Sequence, residues 1–406
     1  MSKRLEQGLQ RLALVGGGRW ARVLAGVLLE VTPASVQLDI HSARNPTGMG
    51  EWSARHGLGR VRVLTAPPEF HGANRPDAVI VANAARDHAK AASASLRAGV
   101  ATLVEKPFAL CESDARDLVE LARRDDTLLA VSRVFLFAHS LERFAALVRA
   151  RAPATRARVA WTDPKLEIRY GEVKQYDASI PVLVDILPHV LPMLRTIFGR
   201  NAELVTLGLS NGGAETEIRV DLADLPCTIL LARDADARRR IIEVEGERGD
   251  LRLDLSEGDG RIFDGGEELG EPGKSPTGGL LALMLRKFLE CATAGTSDER
   301  LSPVTATEDC RLVDQMLPIY REKQAQWIAE RGGRQLDAGI RYALCEVIFG
   351  GAPQETLDDA RLETIWGKIS DLSAASLVET LADPVQRTRE FTRLLGGSAR
   401  SARVPS

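Results

Sequence analysis

The sequence predicts an α/β protein with a doubly wound parallel sheet followed by a second, mainly antiparallel sheet. Residues 11–150 alternate short apolar runs with longer amphipathic runs, which is the pattern of βαβ units. After residue 155, successive short strands with turn-rich connections replace that pattern and favour antiparallel pairing. The length of 406 residues fits two compact units and an extension.

The first region, placed at residues 1–150, contains five predicted strand–helix pairs. They are LALVG with RWARVLAGVLLEV, VQLDIHS with GMGEWSARHG, DAVIVAN with RDHAKAASASLRAG, ATLVEKP with SDARDLVELARR, and LLAVSRVF with SLERFAALVRA. Because crossovers between parallel strands are right-handed, we expect helices on both faces of the sheet.

The second region, placed at residues 151–334, begins with a strand and contains a helix predicted over residues 182–198. Its predicted strands are ARVAWT, ELVTLGL, ETEIRVDL, PCTILLA, RIIEVEG, DLRLDL and RIFD, and the helix LLALMLRKFLECATAG follows them. The remaining residues, 335–406, show amphipathic helical patterns, among them DPVQRTREFTRLLGG, and end in the tail SARSARVPS, which we expect to be disordered.

Composition excludes several classes of protein. A net charge of −3 and a pI of about 6.2 argue against a general nucleic-acid binder. Five scattered cysteines without a CxxC pair indicate reduced thiols in a cytoplasmic protein and no zinc site. The most apolar long stretch, SIPVLVDILPHVLPMLRTIFG, carries charged groups and prolines that a membrane span would not tolerate. We therefore expect no metal, no nucleic acid and no membrane association.

The turn VGGGRWA follows the first strand and opens the first helix. Gly16, Gly18 and Ala21 form a G-x-G-x-x-A pattern, in which the glycines allow a tight turn and a close approach to a pyrophosphate. The N-terminus of the helix then faces the phosphates. The predicted cofactor contacts here are Gly16, Gly17, Gly18, Arg19 and Trp20.

The end of the second strand bears on the choice of cofactor. Asp39 lies inside the strand, too early to bind a ribose 2′-hydroxyl, whereas Ser42 and Arg44 follow its end. A serine and a guanidinium can hold a 2′-phosphate, so NADP(H) is favoured over NAD(H). The alternative is that Arg44 is a solvated loop residue.

These pieces resemble the Gfo/Idh/MocA oxidoreductases, which are named after glucose–fructose oxidoreductase, inositol dehydrogenase and a rhizopine-catabolism protein. The residues that carry the resemblance are the glycine turn, DAVIVANAARDHAKAASASLRAG and VEKPFAL, and it covers roughly residues 10–325. It implies an N-terminal Rossmann domain, an α+β domain with a large open-faced sheet, and a homodimer or homotetramer. It also implies that Asn83, Ala84 and His88 lie at the cofactor.

In this family the E-K-P signature, here Glu105, Lys106 and Pro107, lies at the reaction centre. The resemblance implies that Lys106 reaches between the nicotinamide and the substrate oxygen, where it polarises a carbonyl or relays a proton. A cis peptide before Pro107 is common among relatives, and Glu105 would support the backbone or the ring. The alternative is a surface lysine after an edge strand.

A second candidate pair is Asp185 and His189 in VLVDILPHVLPML. Four residues apart, they share one face of a helix, and they match the family's D-x-x-x-H segment. The resemblance implies that His189 donates or accepts the proton and that Asp185 orients the site. A histidine titrates near neutral pH, which suits that role. Pro188 is acceptable if the helix begins nearby.

The chain departs from the family pattern in several places. Leu187 and Pro192 stand where relatives often have glycine and aspartate, and RVFLFAHS replaces a more polar segment. We expect Phe135, Leu136 and Phe137 to be core residues. The run RDADARRR, residues 233–240, is expected to be a solvated hairpin, with a phosphate contact as the alternative.

The sequence therefore predicts an NADP(H)-dependent oxidoreductase that moves a hydride to or from a carbonyl or hydroxyl carbon of a sugar-like small molecule. Lys106 and His189 would handle the proton. An imine or ketone reductase of a secondary-metabolite pathway and a non-catalytic dinucleotide-binding regulatory protein remain open as alternatives.

Overall fold

The computed structural model describes residues 8–57, 59–169, 171–174, 176–270, 279–349, 359–370 and 372–382. Its first sheet has six parallel strands in the order β3-β2-β1-β4-β5-β6. The strands are β1 Arg11–Val15, β2 Gln37–His41, β3 Val61–Leu64, β4 Ala78–Val81, β5 Ala101–Val104 and β6 Leu129–Val131. The predicted doubly wound parallel sheet is confirmed, although the strand β3 was not predicted.

Helices cover both faces of this sheet. They are α1 Arg19–Val31, α2 Pro46–His56, α3 His88–Arg97, α4 Glu112–Arg124 and α5 His139–Ala150. Alternate residues of β1 enter different cores: Leu12 and Leu14 pack with α1, α2 and α5, while Ala13 and Val15 pack with α3 and α4. Because successive side chains of a strand point to opposite faces, a sheet covered on both sides reads as a continuous apolar run.

The second sheet has eight strands in the order β10-β11-β12-β7-β13-β14-β15-β16. Only the pair β12–β7 is parallel, so the sheet is mainly antiparallel, as predicted. The strands are β7 Ala154–Pro164, β10 Glu203–Ser210, β11 Glu215–Asp221, β12 Pro226–Ala235, β13 Arg239–Gly246, β14 Leu251–Asp254, β15 Arg261–Asp264 and β16 Glu267–Glu268. A small hairpin, β8 Ile168–Arg169 and β9 Glu172–Val173, stands apart and was not predicted.

The helix α6, Val182–Phe198, packs on this sheet and matches the predicted range. It starts six residues before Pro188, so both Pro188 and Pro192 are inside the helix. Most side chains of α6 are buried, and that packing offsets the loss of backbone donors at the two prolines. The helices α7 Gly279–Ala294 and α8 Pro303–Ala329 complete the second region.

The described part of the C-terminal extension is helical, as predicted: α9 Ala338–Phe349, α10 Asp359–Ser370 and α11 Ala374–Ala382. These helices form their own apolar core with the end of α8, including Ile328, Leu344, Trp366 and Leu377. The predicted helix in DPVQRTREFTRLLGG and the predicted disordered tail lie outside the described residues. The boundaries at residues 150 and 334 stay predictions. In the part of the chain that the structure describes, no helix is both long and apolar enough to cross a bilayer.

Candidate active site

A cavity of about 510 Å³ lies where the carboxyl ends of β4 and β5 face the second sheet. In open α/β sheets, ligands bind at these ends, beside the position where the strand order reverses. Nine of the predicted site residues line the cavity: Arg19, Trp20, Asn83, Ala84, His88, Glu105, Lys106, Asp185 and His189. The glycine turn, Ser42 and Arg44 are not among the lining residues.

The glycine turn is built for close contact. Gly16 has a φ of +154°, and a Cβ there would overlap the carbonyl oxygen of Ala82 at the end of β4. A Cβ on Gly17 would overlap the hydroxyl of Ser42, whereas one on Gly18 would meet open space. The helix α1 starts directly after Gly18 without a side-chain cap, so the N–H groups of its first turn lack a capping side chain. This cradle fits the pyrophosphate of a dinucleotide.

The end of β2 separates the two residues predicted to hold a 2′-phosphate. Ser42 is 1% exposed and lies beneath Gly17, so its hydroxyl does not reach the surface of the loop. The Arg44 side chain is 72% exposed and lies 3.8 Å from the Asp87 carboxylate. Asp39 is bound to Arg11 and Arg62, as expected of an acid inside the strand. The prediction of a 2′-phosphate site therefore narrows to Arg44.

His88 holds the ends of β4 and β5 together. Its Nδ1 lies 2.8 Å from the carbonyl oxygen of Pro107, and its Nε2 lies 3.1 Å from the carbonyl oxygen of Asn83. Burial lowers its pKa. His88 thus fixes the backbone at Asn83 and Pro107, two residues that line the cavity.

The E-K-P segment lies at the end of β5. The Lys106–Pro107 peptide is cis, as expected. Glu105 is 3% exposed, and burial raises the pKa of its carboxyl despite the neighbouring Ser132, Lys106 and Trp20. The Lys106 side chain is 24% exposed and donates to the Asp185 carboxylate. Lys106 is therefore a cavity residue paired across the two regions, and not a surface lysine.

Asp185 lies between two cations. One carboxylate oxygen binds Lys106, and the other accepts a bond of 3.0 Å from Nη2 of Arg233, a residue of β12. Burial alone would raise the pKa of Asp185, but Lys106 and Arg233 together hold it well below its usual range. The Asp185 carboxylate, stabilised in its ionised form by these two cations, fixes the position of the Lys106 ammonium.

His189 lies one helical turn after Asp185 on the same face of α6. Its ring stacks on Trp161 of β7 at 5.5 Å and meets the edge of Phe135 at 5.2 Å. Burial and the neighbouring Lys106 lower its pKa well below 6.5, so the imidazole is neutral near pH 7. Phe135 lines the cavity, which corrects the expectation that it is a core residue, whereas Leu136 and Phe137 are buried as expected.

The run RDADARRR is part of the site, contrary to the expectation of a solvated hairpin. Arg233 and Arg240 are each 3% exposed, and Arg238 and Arg240 line the cavity. The Arg240 guanidinium lies 4.4 Å from the centre of the Trp161 ring and binds Asp163. Burial lowers the pKa of Arg240 to about 10. The available sequence signal was the cluster of three arginines, residues 238–240, at the start of β13.

Lys174, just after β9, belongs to the same polar side of the cavity as Asp163, Arg238 and Arg240. Its ammonium lies 2.7 Å from Asp163 and 3.3 Å from Glu167, and Arg238 lies 3.3 Å from Glu167. Burial lowers the pKa of Lys174. The wall defined by Asp163, Glu167, Lys174, Arg238 and Arg240 thus holds three cations and two carboxylates.

The unpredicted hairpin connects the two regions above the cavity. Arg19 of α1 donates 2.8 Å to the carbonyl oxygen of Arg169, and Arg22 binds the Glu172 carboxylate with two bonds. The first turn of α1, which follows the glycine turn, is thereby tied to the element that carries Lys174. Among the described residues, no group of three or more His, Cys, Asp or Glu side chains is placed to hold a metal ion.

The fold and the glycine cradle define an NAD-binding Rossmann domain. The model of the oxidoreductase family with an NAD-binding Rossmann fold, Gfo/Idh/MocA, matches residues 11–133. The resemblance that the sequence predicted is thus confirmed over these N-terminal residues. No curated protein matches the chain.

Solved structures support the fold over a longer stretch. A variant of KijD10, a 3-ketoreductase from Actinomadura kijaniata, in complex with TDP-benzene and NADP, has a TM-score of 0.63 and 19% identity and covers 75% of this chain and 95% of its own. KijD10 in its open conformation has a TM-score of 0.61 and 19% identity, and the match covers 75% of this chain and 95% of that protein. UDP-N-acetylglucosamine 3-dehydrogenase GnnA from Acidithiobacillus ferrooxidans has a TM-score of 0.58 and 17% identity, and the match covers 75% of this chain and 99% of that protein. At these identities the likeness shows the fold, and this chain is longer than each of the three.

Proposed function

We propose that the protein is an NADP(H)-dependent oxidoreductase that acts on a carbonyl or hydroxyl carbon of a sugar-like small molecule. The observation that carries this proposal is the Lys106–Asp185 ion pair, which lies beside His189 in one cavity at the carboxyl ends of β4 and β5. When bound, the nicotinamide supplies or accepts the hydride. The protein must then move one proton to or from the substrate oxygen.

Lys106 and His189 have different roles at the substrate oxygen. In the reductive direction the substrate oxygen gains a proton, and the Lys106 ammonium, held by Asp185, is the donor. The lowered pKa of His189 leaves the imidazole neutral, so it hydrogen-bonds the substrate oxygen, and in the oxidative direction the proton of that oxygen returns to the Lys106 amine. Asp185 keeps its charge throughout and orients the lysine.

The preference for NADP(H) rests on Arg44. Its guanidinium is exposed next to the end of β2, and Asp39 is already bound to Arg11 and Arg62. Although Arg44 also lies 3.8 Å from Asp87, an exposed guanidinium after β2, with Asp39 engaged elsewhere, favours a 2′-phosphate over a free 2′-hydroxyl.

The polar wall favours a substrate that carries an anionic group. Its three cations exceed its two carboxylates by one charge, and Arg240 is buried, while the Lys174 side chain is 27% exposed. A phosphate or carboxylate on the substrate would balance that charge. KijD10 was crystallised with TDP-benzene, and GnnA acts on UDP-N-acetylglucosamine, so a phosphate-bearing sugar is the first substrate class to test.

Two alternatives have specific support. The aromatic walls Phe135 and Trp161 would suit a less polar ketone or imine. The packed extension α9–α11 would suit a regulatory protein that binds the dinucleotide and a partner.

We further expect the protein to be cytoplasmic and to form a homodimer or homotetramer. Light scattering would test the oligomeric state.

Lys106→Ala and His189→Ala test the proposed function. We expect Lys106→Ala to lower the turnover of carbonyl substrates by about 10²- to 10⁴-fold because it removes the proton donor. NADPH binding, followed by nicotinamide fluorescence, should persist in both variants. Lys90→Ala, at an exposed lysine of α3, is the matched control. A folded wild-type protein that binds neither NADPH nor NADH would contradict the proposal, and unchanged turnover in Lys106→Ala would remove the lysine from it.

A further inference from the structure

The C-terminal extension reaches the site through a buried tyrosine of α9. The Tyr342 hydroxyl accepts a bond of 3.0 Å from Nη1 of Arg233, the same guanidinium whose Nη2 binds Asp185 at 3.0 Å. Tyr342 is 6% exposed and Arg233 is 3% exposed. A continuous set of contacts therefore runs from Tyr342 through Arg233 and Asp185 to Lys106.

Helix α9 is held in place by contacts of its own. The carboxylate of Glu346 accepts bonds from the Tyr320 hydroxyl at 2.9 Å and from Gln324 Nε2 at 3.1 Å. Glu346 is 5% exposed, so these bonds form away from water. The position of Tyr342 is thus set by packing and does not depend on its bond to Arg233.

Asp185 is shared between two cations, and the other partners of Arg233 decide how it is shared. The guanidinium also donates 3.0 Å to the carbonyl oxygen of Ile180 and lies 4.5 Å from the centre of the Tyr176 ring. With Tyr342 and Ile180 as acceptors, Arg233 takes one oxygen of Asp185 and leaves the other to Lys106. A buried guanidinium that loses an acceptor must find another, because an unpaired buried donor is costly.

We propose that Tyr342 is a positioning residue that sets how Asp185 is divided between Arg233 and Lys106. The extension is in this way part of the active site, although it lies outside the segment that matches the family model. Without the Tyr342 hydroxyl, Arg233 draws on both oxygens of Asp185 and loosens Lys106. Without the Arg233 charge, Asp185 belongs to Lys106 alone and holds it more tightly.

These two changes predict opposite effects on the same amine. Lys106 is modified in the protein without cofactor by isotope-labelled acetic anhydride, and mass spectrometry gives its labelling rate relative to the exposed Lys90. We expect Tyr342→Phe to raise this ratio about three- to tenfold, which corresponds to the loss of about one hydrogen bond. Arg233→Gln should lower the ratio.

The matched control is Tyr320→Phe, which removes another buried tyrosine hydroxyl at the α8–α9 contact. That hydroxyl bonds Glu346 and the carbonyl oxygen of Gly213. We expect the Lys106 ratio of this variant to equal that of the wild type, even if its melting temperature falls as much as that of Tyr342→Phe. A merely structural role for Tyr342 would give the two tyrosine variants the same ratio, and that result overturns the proposal.

Arg233→Gln provides a second, independent test of the proposal. If Tyr342→Phe does not fold, an unchanged or higher ratio in Arg233→Gln overturns the proposal, and a lower ratio supports it. The inference rests on the role proposed for Lys106, but the labelling ratio needs neither cofactor nor turnover. A protein that fails to bind NADPH therefore contradicts the proposed function and leaves this measurement valid.

Discussion

The glycine turn and the site around Asp185 differ in how the chain brings their residues together. Gly16, Gly17 and Gly18 are consecutive; Gly17 and Gly16 lie against the ends of the neighbouring strands β2 and β4, and Gly18 faces open space. Lys106, Asp185 and Arg233, by contrast, come from three distant parts of the chain, and Tyr342 adds a fourth. A few adjacent residues are enough to form a cradle for a cofactor, whereas a proton-transfer site needs charged residues that only the tertiary structure brings together.

The comparison is tested most severely by two aspartates that each lie between two cations. Asp185→Asn removes the counter-ion that the buried Arg233 and the partly exposed Lys106 share, so we expect turnover to fall by about 10²- to 10³-fold and unfolding to become easier by about 3–5 kcal/mol. Asp39→Asn removes the partner of Arg11 and Arg62 on the cofactor side and should leave turnover nearly intact. Kinetics and urea denaturation measure both effects. Equal turnover losses in the two variants would contradict the comparison.

Within the cofactor side, Gly16 and Gly18 should separate folding from binding. Gly16→Ala places a Cβ against the Ala82 carbonyl at a φ of +154°, and we expect a loss of about 1–3 kcal/mol in stability. Gly18→Ala adds a Cβ in open space, where the pyrophosphate is expected, so NADPH binding should weaken at least about tenfold without a change in melting temperature. Thermal melting and fluorescence titration distinguish the two. Normal NADPH binding by Gly18→Ala would show that the pyrophosphate does not lie at Gly18.

Arg44 provides a smaller test of cofactor choice. We expect Arg44→Ala to weaken NADPH binding about tenfold, because one charge-assisted contact with the 2′-phosphate is lost. NADH, which has no 2′-phosphate, should bind equally well to the wild type and the variant and serves as the control ligand. Side-by-side fluorescence titrations give both dissociation constants, and a parallel loss for NADH would return Arg44 to the role of a solvated loop residue.

The smallest expected effect is a dependence of stability on pH. The pKa of His189 is lowered in the folded protein, so below the unfolded value of about 6.5 the unfolded chain binds the proton more readily. Stability should therefore be complete above pH 6.5 and should fall toward pH 5.5, by at most about 1.4 kcal/mol per pH unit for this group. His189→Asn should flatten part of that slope in urea denaturation at pH 7.5, 6.5 and 5.5. His88, whose pKa burial also lowers, should contribute a slope of the same sign.

Much of the fold followed from periodicity. The parallel sheet, the seven strands predicted for the second region and the helix over residues 182–198 are present in the structure. The strand β3 and the hairpin β8–β9 escaped prediction because each is short and only partly buried, so neither has a clear apolar pattern. Pro188 is tolerated inside α6 because helix propensity counts for little where packing buries most of a helix.

The sequence by itself determined the glycine cradle, the βαβ order and the positions of Lys106, Asp185 and His189 along the chain, since these depend on local turn chemistry and on strand and helix periods. Only the tertiary structure decided that Ser42 lies beneath the turn, that the arginines of residues 233–240 enter the cavity, and that Tyr342 reaches Arg233. Burial and charge pairing arise between residues far apart in the sequence, and no local pattern records which distant group will neutralise a given charge.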